Sequence, residues 1–315
     1  MILKLMQPEL NQCQLAKLNN VLNIILRTNR TALPNDELLE RFVQNKKLVG
    51  LKDSSLRGYV AELRLMARYC DKNFTEITTA DIKDYLSKVV AERHISPNTL
   101  QTKIRCISSF YEYLVNDEFI DRNPTLKIEK VMVEKKIKKA FSYDEINRIR
   151  NACDNDRDRA FVEFLYSTGT RISEALSLNV NDINFEEYEV IVFGKGHKER
   201  IVYLSEECMR TLNIYLEHRY ALPDEPLFTH IENHNRLTSR GAELLLKDIG
   251  LRSGVDNVHP HRFRRTMATH LMDKGMPIEQ IQKILGHSRL DTTMIYCNVS
   301  SEKVKQSFQN LFNNE

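Results

Sequence analysis

Apolar side chains recur three and four positions apart through the N-terminal part of the chain, which is the spacing of one face of an α-helix. In the fifth such segment, Ser96 stands at a capping position and Pro97 at the first helical position, a combination that favours a helix start. Turn residues from Asp121 to Pro124 end the pattern. We therefore expect a compact helical unit, with one helix over about residues 10–27 and others that begin at Pro34, near Asp53, near Thr79 and at Pro97.

The later part of the chain contains one β feature. Residues 189–193 and 200–204 are rich in β-branched side chains, and they flank a short segment in which Gly194 and Gly196 bracket Lys195. Two such runs around a glycine-containing loop predict a β-hairpin. Lys195 is expected at its tip.

The segments around this hairpin have helical patterns. Ser142, with Glu145 three residues later, predicts a helix that begins with a capping box. Pro260 and Pro277 are both expected in the first turn of a helix. The predicted fold class is mainly α with a small β-sheet, formed by an N-terminal helical domain and a mixed α/β domain.

The length of 315 residues suggests two domains, at roughly 100–200 residues each. Residues 127–140 are rich in lysine, so this segment is either a solvated linker or a linker that crosses a DNA backbone. The expected division is a helical N-terminal extension at 1–35, a helical domain at 36–126, the basic linker at 127–140, the mixed α/β domain at 141–300 and a C-terminal helix at 301–315.

Composition excludes several classes of protein. The formal net charge of +3 does not by itself indicate a nucleic-acid partner. Six scattered cysteines without a CxxC pair argue against a disulfide framework and against a cysteine zinc site. His230 and His234 are four apart but have no evident third metal ligand, so no metal site is predicted. No signal peptide and no apolar run of about 20 residues is present, which favours a cytoplasmic protein without a membrane partner.

Four separated segments carry residues that suit one reaction. They contain Arg171 after a Gly-Thr turn, Lys195 in the hairpin, His261 and Arg264 three apart, and His287 followed nine residues later by Tyr296, in that order. Each residue alone has an ordinary structural explanation, such as a surface ion pair, a turn or a core position. Only in combination do these residues indicate a particular reaction.

Together these side chains meet the needs of phosphodiester cleavage. Two arginines can hold the non-bridging oxygens and stabilise the charge that grows in the transition state. A tyrosine is a competent nucleophile beside cations, and its phosphotyrosine product conserves the energy of the bond that was broken. A lysine can protonate the departing 5′ oxygen, and histidines can supply a base and a hydrogen bond. This chemistry requires no cofactor and no metal.

The same segments resemble those of the tyrosine recombinase (phage integrase) family, and the resemblance extends from about residue 36 onward. The first helical unit is similar to the family's core-binding domain. The similarity includes the helix start at residues 96–99 and the end of the unit at Asn123 and Pro124. One departure is Arg265-Thr266-Met267, where the family often has a different triplet; we expect it to affect packing or DNA contact. The resemblance implies a catalytic set of Arg171, Lys195, His261, Arg264, His287 and Tyr296.

The resemblance also implies a role for each residue. Arg171 and Arg264 would clamp the scissile phosphate, and Lys195 would be the general acid, with Lys198 as a rival for that role. His261 would act as base for Tyr296 or position it, and His287 would bond a non-bridging oxygen. Glu174 would orient His261. Tyr296 would form the 3′-phosphotyrosyl link, with Tyr188, Tyr203 and Tyr215 as the fallback candidates.

The function implied by the resemblance is site-specific recombination of double-stranded DNA through a Holliday junction. The expected assembly is a homo-tetramer, with a dimer at each site, and accessory DNA-binding proteins or a partner recombinase are possible additions. The C-terminal helix at 301–315, with an apolar stripe of Val304, Phe308, Leu311 and Phe312, would dock on a neighbouring protomer or on its own domain.

Other functions are compatible with parts of the pattern. A type IB topoisomerase-like enzyme would use the same chemistry on one strand without synapsis, and a non-catalytic DNA-binding protein could retain the fold. Within the recombinases, the short segment at 1–35 favours a simple Xer-like or transposon-resolving type over a large integrase with a separate arm-binding domain. Integration or excision of a mobile element stays open, as does the target DNA sequence.

Overall fold

The computed structural model describes residues 13–18, 33–132, 139–194 and 198–286. The chain divides into two compact units, Met1–Lys135 and Lys136–Glu315. Residues 13–18 are helical, and the rest of the first predicted helix lies outside the described residues. In the described part of the chain, no helix is long and apolar enough to span a bilayer.

Besides the helical residues 13–18, the described part of the first unit contains four α-helices and a short 3-10 turn. Their starts follow local rules: the Ser96 hydroxyl accepts a hydrogen bond from the Thr99 N–H at 3.2 Å, and Thr78 forms a capping box with Asp81. The helix starts predicted near Asp53, near Thr79 and at Pro97 are confirmed, and the helix predicted from Pro34 begins one residue later, at Asn35, with Pro34 as its N-cap. The helices are α1 (Asn35–Leu48), α2 (Asp53–Cys70), α3 (Thr79–Arg93) and α4 (Pro97–Asn116), followed by the 3-10 turn Pro124–Lys127.

The core of the first unit is aromatic. Phe42, Phe74 and Phe110 are completely buried, and Phe110 packs edge-on against both of the others. Tyr111 is also buried, and its hydroxyl donates to the Phe74 carbonyl at 3.1 Å. This bond joins α4 to the loop after α2, so the core holds the connecting loop as well as the helices.

The second unit is a mixed α/β domain. Ser142 and Glu145 form the predicted capping box at the start of its first helix, and Pro260 occupies the first turn of a later helix as predicted. Pro277 lies one residue before its helix, at the N-cap, so its predicted first-turn position was wrong. The helices are α5 (Tyr143–Asn151), α6 (Asp156–Thr168), α7 (Ile172–Ser177), α8 (Glu206–His218), α9 (Ser239–Ser253), α10 (Pro260–Asp273) and α11 (Ile278–Leu285).

Three antiparallel strands lie between α7 and α8 in the order β1 (Ile183–Asn184), β2 (Glu189–Phe193) and β3 (Glu199–Tyr203). The pairing of Ile191 with Ile201 sets the register of β2 against β3. The predicted hairpin is therefore confirmed, with β3 beginning at Glu199 instead of at residue 200. A mainly helical fold with a small sheet is also confirmed.

Helix α6 forms the centre of the second unit. All six residues from Ala160 to Leu165 are buried, including Phe161 and Phe164, which contact Phe228 edge-on. A helix that is buried on several sides packs against several neighbours, and α6 contacts α8, α10 and β3. These contacts hold the C-terminal end of α6 on several sides, and they therefore fix the position of the residues that follow it.

Candidate active site

The chain leaves α6 through a buried turn at Gly169. This residue caps the helix with φ of +56°, the left-handed region that glycine enters without a Cβ penalty. Thr168 and Thr170 are buried on either side of it, and their hydroxyl oxygens are 3.1 Å apart. The turn places Arg171 at the edge of the core, just before α7.

Arg171 is held by the carboxylate of Glu174 in the first turn of α7. Its Nη1 donates to Oε1 at 2.7 Å, and its backbone N–H donates to Oε2 at 2.8 Å. The arginine side chain is 33% exposed, whereas the Glu174 side chain is 3% exposed. Within the described part of the chain, the Nε and Nη2 of Arg171 make no hydrogen bond. Those donors can serve an anion.

A second arginine, Arg200 of β3, also binds Glu174. Nη1 of Arg200 donates to Oε1 at 3.0 Å, and Nη2 donates to Oε2 at 2.6 Å. The expectation that Glu174 orients His261 is wrong, because its carboxylate is shared between Arg171 and Arg200. Burial raises the pKa of the Glu174 carboxyl, but the hydrogen bonds from Arg200 and Arg171 outweigh burial and lower the pKa from its ordinary value of 4.5 to about 2.

Arg264 connects two further segments of the site. It is buried on α10, and its Nη1 donates to the Gly169 carbonyl at 2.7 Å. Its Nη2 donates to the carbonyl of Leu285, the last residue of α11. The guanidinium thus joins the turn before Arg171 to the end of α11, where unpaired carbonyls favour a cation.

His261 lies three residues before Arg264 on α10, one turn nearer the helix start, and it is exposed. Residues three apart lie on the same helix face. The structure therefore brings Arg171 and Arg264 together through Gly169, and places His261 on the helix that carries Arg264.

The base of the hairpin loop lies beside the two arginines that bind Glu174. The Gly194 N–H donates to the Lys198 carbonyl at 2.8 Å and closes the loop. A β-carbon at Gly194 would lie 3.4 Å from Nη1 of Arg200 and 3.9 Å from Nη1 of Arg171. Lys195 follows Gly194 in the chain but lies outside the described residues, so the choice between Lys195 and Lys198 stays a prediction.

His287 and Tyr296 also lie outside the described residues, and their roles stay predictions. The residue before His287 is described: Gly286 caps α11 with φ of +63°. The two residues before it contribute carbonyls to the site, since Ile284 accepts from Arg200 and Leu285 accepts from Arg264.

Arg200 is the residue that sequence reasoning missed. A signal was present, because alternation along β3 places Arg200 on the same face as the buried Val202. A charged residue at a core-facing position of a strand requires a partner. The sequence does not show that this partner is Glu174.

The described site is rich in cations. Arg171, Arg200 and Arg264 converge around one carboxylate and three backbone carbonyls. Two guanidinium groups on one carboxylate leave an excess of positive charge, which suits a bound phosphate. Across the described ranges, no group of three His, Cys, Asp or Glu side chains is arranged to hold a metal ion.

Comparison with known proteins identifies the family. Residues 139–303 match the phage integrase family, and residues 38–121 match the phage integrase N-terminal SAM-like domain. Tyrosine recombinase XerC of Leptospira interrogans is 31% identical over 288 residues, which cover 87% of this chain and 92% of the relative. Tyrosine recombinase XerD of Oceanobacillus iheyensis is 33% identical over 276 residues, which cover 82% of this chain and 92% of the relative.

Solved structures show the same fold. The XerH site-specific recombinase bound to a palindromic difH substrate, a post-cleavage complex, has a TM-score of 0.69 at 19% identity over 98% of this chain and 93% of that one. The Tn1549 transposon integrase in complex with a circular intermediate DNA has a TM-score of 0.70 at 17% identity, with coverage of 87% and 99%. From the sequence matches, this chain belongs to the tyrosine recombinase (phage integrase) family.

Proposed function

We propose that this chain is a site-specific DNA recombinase that cleaves and rejoins DNA strands through a covalent link to Tyr296. The observation that carries the proposal is that Arg264 binds the Gly169 carbonyl, two residues before Arg171, whose guanidinium is held by Glu174. Two arginines are therefore fixed at one turn, which supplies a cationic site for a phosphate. Family membership supports the same chemistry, because the relatives described above are tyrosine recombinases.

In the proposed reaction, Arg171 and Arg264 hold the scissile phosphate and stabilise its charge in the transition state. The Tyr296 oxygen attacks phosphorus, its proton passes to His261, and the bond from phosphorus to the 5′ oxygen breaks. The departing oxygen takes a proton from Lys195, or from Lys198 if that lysine occupies the position. His287 donates a hydrogen bond to a non-bridging oxygen.

Rejoining reverses these steps. A 5′ hydroxyl attacks the phosphotyrosine, the bond from phosphorus to Tyr296 breaks, and the tyrosine recovers its proton. The number of phosphoester bonds is conserved at each step, so the reaction needs no ATP. When the attacking hydroxyl comes from a second DNA site, the product is an exchanged strand.

The proposed partner is a double-stranded DNA recombination site. Exchange between two sites requires four active chains, so the proposed assembly is a homo-tetramer with a dimer on each site, formed through the C-terminal helix at 301–315 docking in trans. Topoisomerase-like nicking without synapsis is not favoured, since the relatives compared above carry the names of recombinases and an integrase.

Two biological roles fit this proposal. The XerC and XerD relatives favour a simple resolving recombinase, and they cover most of this chain. The fold shared with the Tn1549 transposon integrase keeps integration or excision of a mobile element as the second candidate. The DNA that the protein captures in its host decides between them.

A covalent-capture experiment tests both the chemistry and the target. The full chain is expressed in its host, isolated under denaturing conditions, and the DNA that remains attached is sequenced beside the same preparation of Tyr296→Phe. We expect one DNA site to be enriched on the wild-type chain and absent from the variant. Tyr188→Phe is the control, because Tyr188 is a surface tyrosine of the same unit, 41% exposed, and its removal should leave the adduct intact.

The recovered peptide gives the decisive result. Mass spectrometry should place the nucleotide on the peptide that contains Tyr296. A nucleotide on Tyr188, Tyr203 or Tyr215 would show that the nucleophile has been misassigned. A wild-type chain that never carries DNA, on its host genome or on a nicked substrate that traps cleavage, would contradict the proposed function itself.

A further inference from the structure

Arg200 has a position that is unusual for a charged side chain. It lies on β3 at a core-facing position, and its side chain is only 9% exposed, although the neighbouring Glu199 and Ile201 face solvent. A charge removed from water in this way must be paired and hydrogen-bonded to be tolerated. Its partners therefore indicate what the residue is for.

The guanidinium of Arg200 contacts two different segments. Nη1 and Nη2 donate to the two carboxylate oxygens of Glu174, at 3.0 and 2.6 Å, in a bidentate arrangement. Nε donates at 2.8 Å to the carbonyl of Ile284 in the last turn of α11, an end of the helix that favours a cation. One side chain thus ties the hairpin to α7 and to α11.

The aliphatic part of Arg200 packs against the turn that ends α11. A β-carbon at Gly286 would lie 2.8 Å from Cδ of Arg200 and 3.3 Å from its Nε. Glycine at this position is what allows the arginine to approach so closely. The contact is made at the residue that precedes the proposed catalytic His287.

A chain of hydrogen bonds runs from Arg200 to Arg171 through one carboxylate. Oε1 of Glu174 accepts from Nη1 of both arginines, at 2.7 Å from Arg171 and 3.0 Å from Arg200. With Arg200 in place, Glu174 has one orientation, and the donors of Arg171 that do not bind it face away from the carboxylate. Without Arg200, the buried Glu174 would lose two of its four hydrogen bonds and the constraint that they impose.

We propose that Arg200 is a positioning residue for DNA cleavage: it orients Arg171 through Glu174 and holds the hairpin and the end of α11 in register with it. The inference rests on the proposed function. Arg200 does not touch the phosphate, because its guanidinium is taken up by Glu174 and Ile284. Its effect on the reaction passes through Arg171.

A matched ion pair in the same unit serves as the control. Arg150 also binds a buried glutamate, Glu163, in a bidentate arrangement, although through Nε and Nη2, with Nε–Oε1 of 2.7 Å and Nη2–Oε2 of 2.8 Å. Glu163 is also shared with a second arginine, Arg159, as Glu174 is shared with Arg171. The other side chains that Arg150 contacts are Asn147 and Tyr166, neither of which belongs to the site.

The test compares Arg200→Lys with Arg150→Lys in the full chain. Lysine keeps the charge but cannot reproduce the planar fork, so each substitution removes one bidentate pair. The readouts are DNA affinity, melting temperature, and the single-turnover rate of covalent adduct formation at saturating DNA. We expect Arg200→Lys to lower the rate on the order of 10²-fold while affinity changes by less than about threefold, as for a misplaced catalytic group. Arg150→Lys should lower the melting temperature but leave the rate near that of the wild type.

A double-mutant cycle separates positioning from general destabilisation. If Arg200 acts through Arg171, the Arg171→Lys and Arg171→Lys/Arg200→Lys chains should cleave at the same rate within about threefold, because residues in one network are not additive. Arg200→Gln provides a second variant, smaller and neutral, and should show the same rate loss.

Three results would overturn the inference. The rate of Arg200→Lys and of Arg200→Gln could equal that of Arg150→Lys, or the losses from Arg171→Lys and Arg200→Lys could multiply. A loss of DNA affinity as large as the loss of rate would make Arg200 a DNA-binding residue instead. A wild-type chain that forms no adduct would overturn the proposed function and this inference together, whereas the three results above leave the proposed function intact.

Discussion

Arg264 donates a hydrogen bond from Nη1 to the carbonyl of Gly169 at 2.7 Å, across 95 positions of the chain. Gly169 ends α6, and Arg171 follows it by two residues, so this bond sets the place of one proposed phosphate-binding arginine relative to the other. The second amino group of Arg264 binds Leu285 at the end of α11. The side chain is therefore part of the framework of the site as well as a candidate ligand for the phosphate.

Arg264→Lys should slow covalent adduct formation by about 10²–10³-fold, since a single ammonium cannot bind both carbonyls in a planar fork and also serve the phosphate. The rate is measured in a single turnover on a nicked DNA substrate. Arg262→Lys is the control on the same helix, because Arg262 binds Glu145 and the Ala140 carbonyl, outside the site. Equal losses in the two variants would argue against a special role for Arg264.

Gly286→Ala should reduce adduct formation more than Gly254→Ala. Both glycines cap helices with φ of +63°, so an alanine suffers the same left-handed strain of about 1–2 kcal/mol at each. Only at Gly286 would the added β-carbon meet the Arg200 side chain; at Gly254 the nearest atom is Nη1 of Arg148, at 3.8 Å. Melting temperatures of the two variants measure the shared strain, and cleavage rates measure the displacement of Arg200. Equal rates would show that the close contact with Arg200 does not matter for cleavage.

Glu174 should stabilise the fold above pH 4.5 and lose this contribution as the pH falls toward 2. Its pKa is lowered by the two arginines from 4.5 to about 2, so in this range the unfolded chain binds a proton that the folded chain does not. Protonation therefore favours unfolding as the pH drops, by roughly 3 kcal/mol in total. Urea unfolding of wild type and Glu174→Gln at pH 6 and pH 3 checks this. The stability difference between them should shrink at pH 3, and a difference that grows would give the wrong sign.

DNA binding should weaken steeply with salt. Contacts between arginine or lysine and phosphates release counterions when the complex forms, so we expect affinity for the recombination site to fall at least roughly tenfold between 50 and 200 mM salt. Fluorescence anisotropy with Tyr296→Phe measures binding without cleavage. An affinity that is flat over this range would rule out an interface dominated by phosphate contacts.

Local elements were readable from the sequence because their signals are local. Ser96 with Pro97, and Ser142 with Glu145, satisfy the first free N–H groups of a helix wherever the helix packs. The β2–β3 hairpin follows from two β-branched runs around a glycine-containing loop. Pro277 was misplaced by one residue, because a proline is compatible with both the cap and the first turn.

The arrangement within the candidate site could not be read in the same way. Glu174 was expected beside His261, yet its carboxylate lies between Arg171 and Arg200. A glutamate three residues after an arginine can bind several partners. Only the packing of the hairpin, with β2 against α7 and β3 against α11, selects one of them. The importance of Arg200 was invisible for the same reason.

By itself, the sequence determined the type of chemistry, the family, and the helices and hairpin, because residue types and short-range spacing carry that information. The tertiary structure decided which groups share a hydrogen bond. Arg264 reaches Gly169 and Leu285, and Arg200 reaches Glu174 and Ile284, only because α6, α10, α11 and the sheet pack against one another. Contacts between residues 21 to 95 positions apart depend on this packing, since no local rule relates their positions.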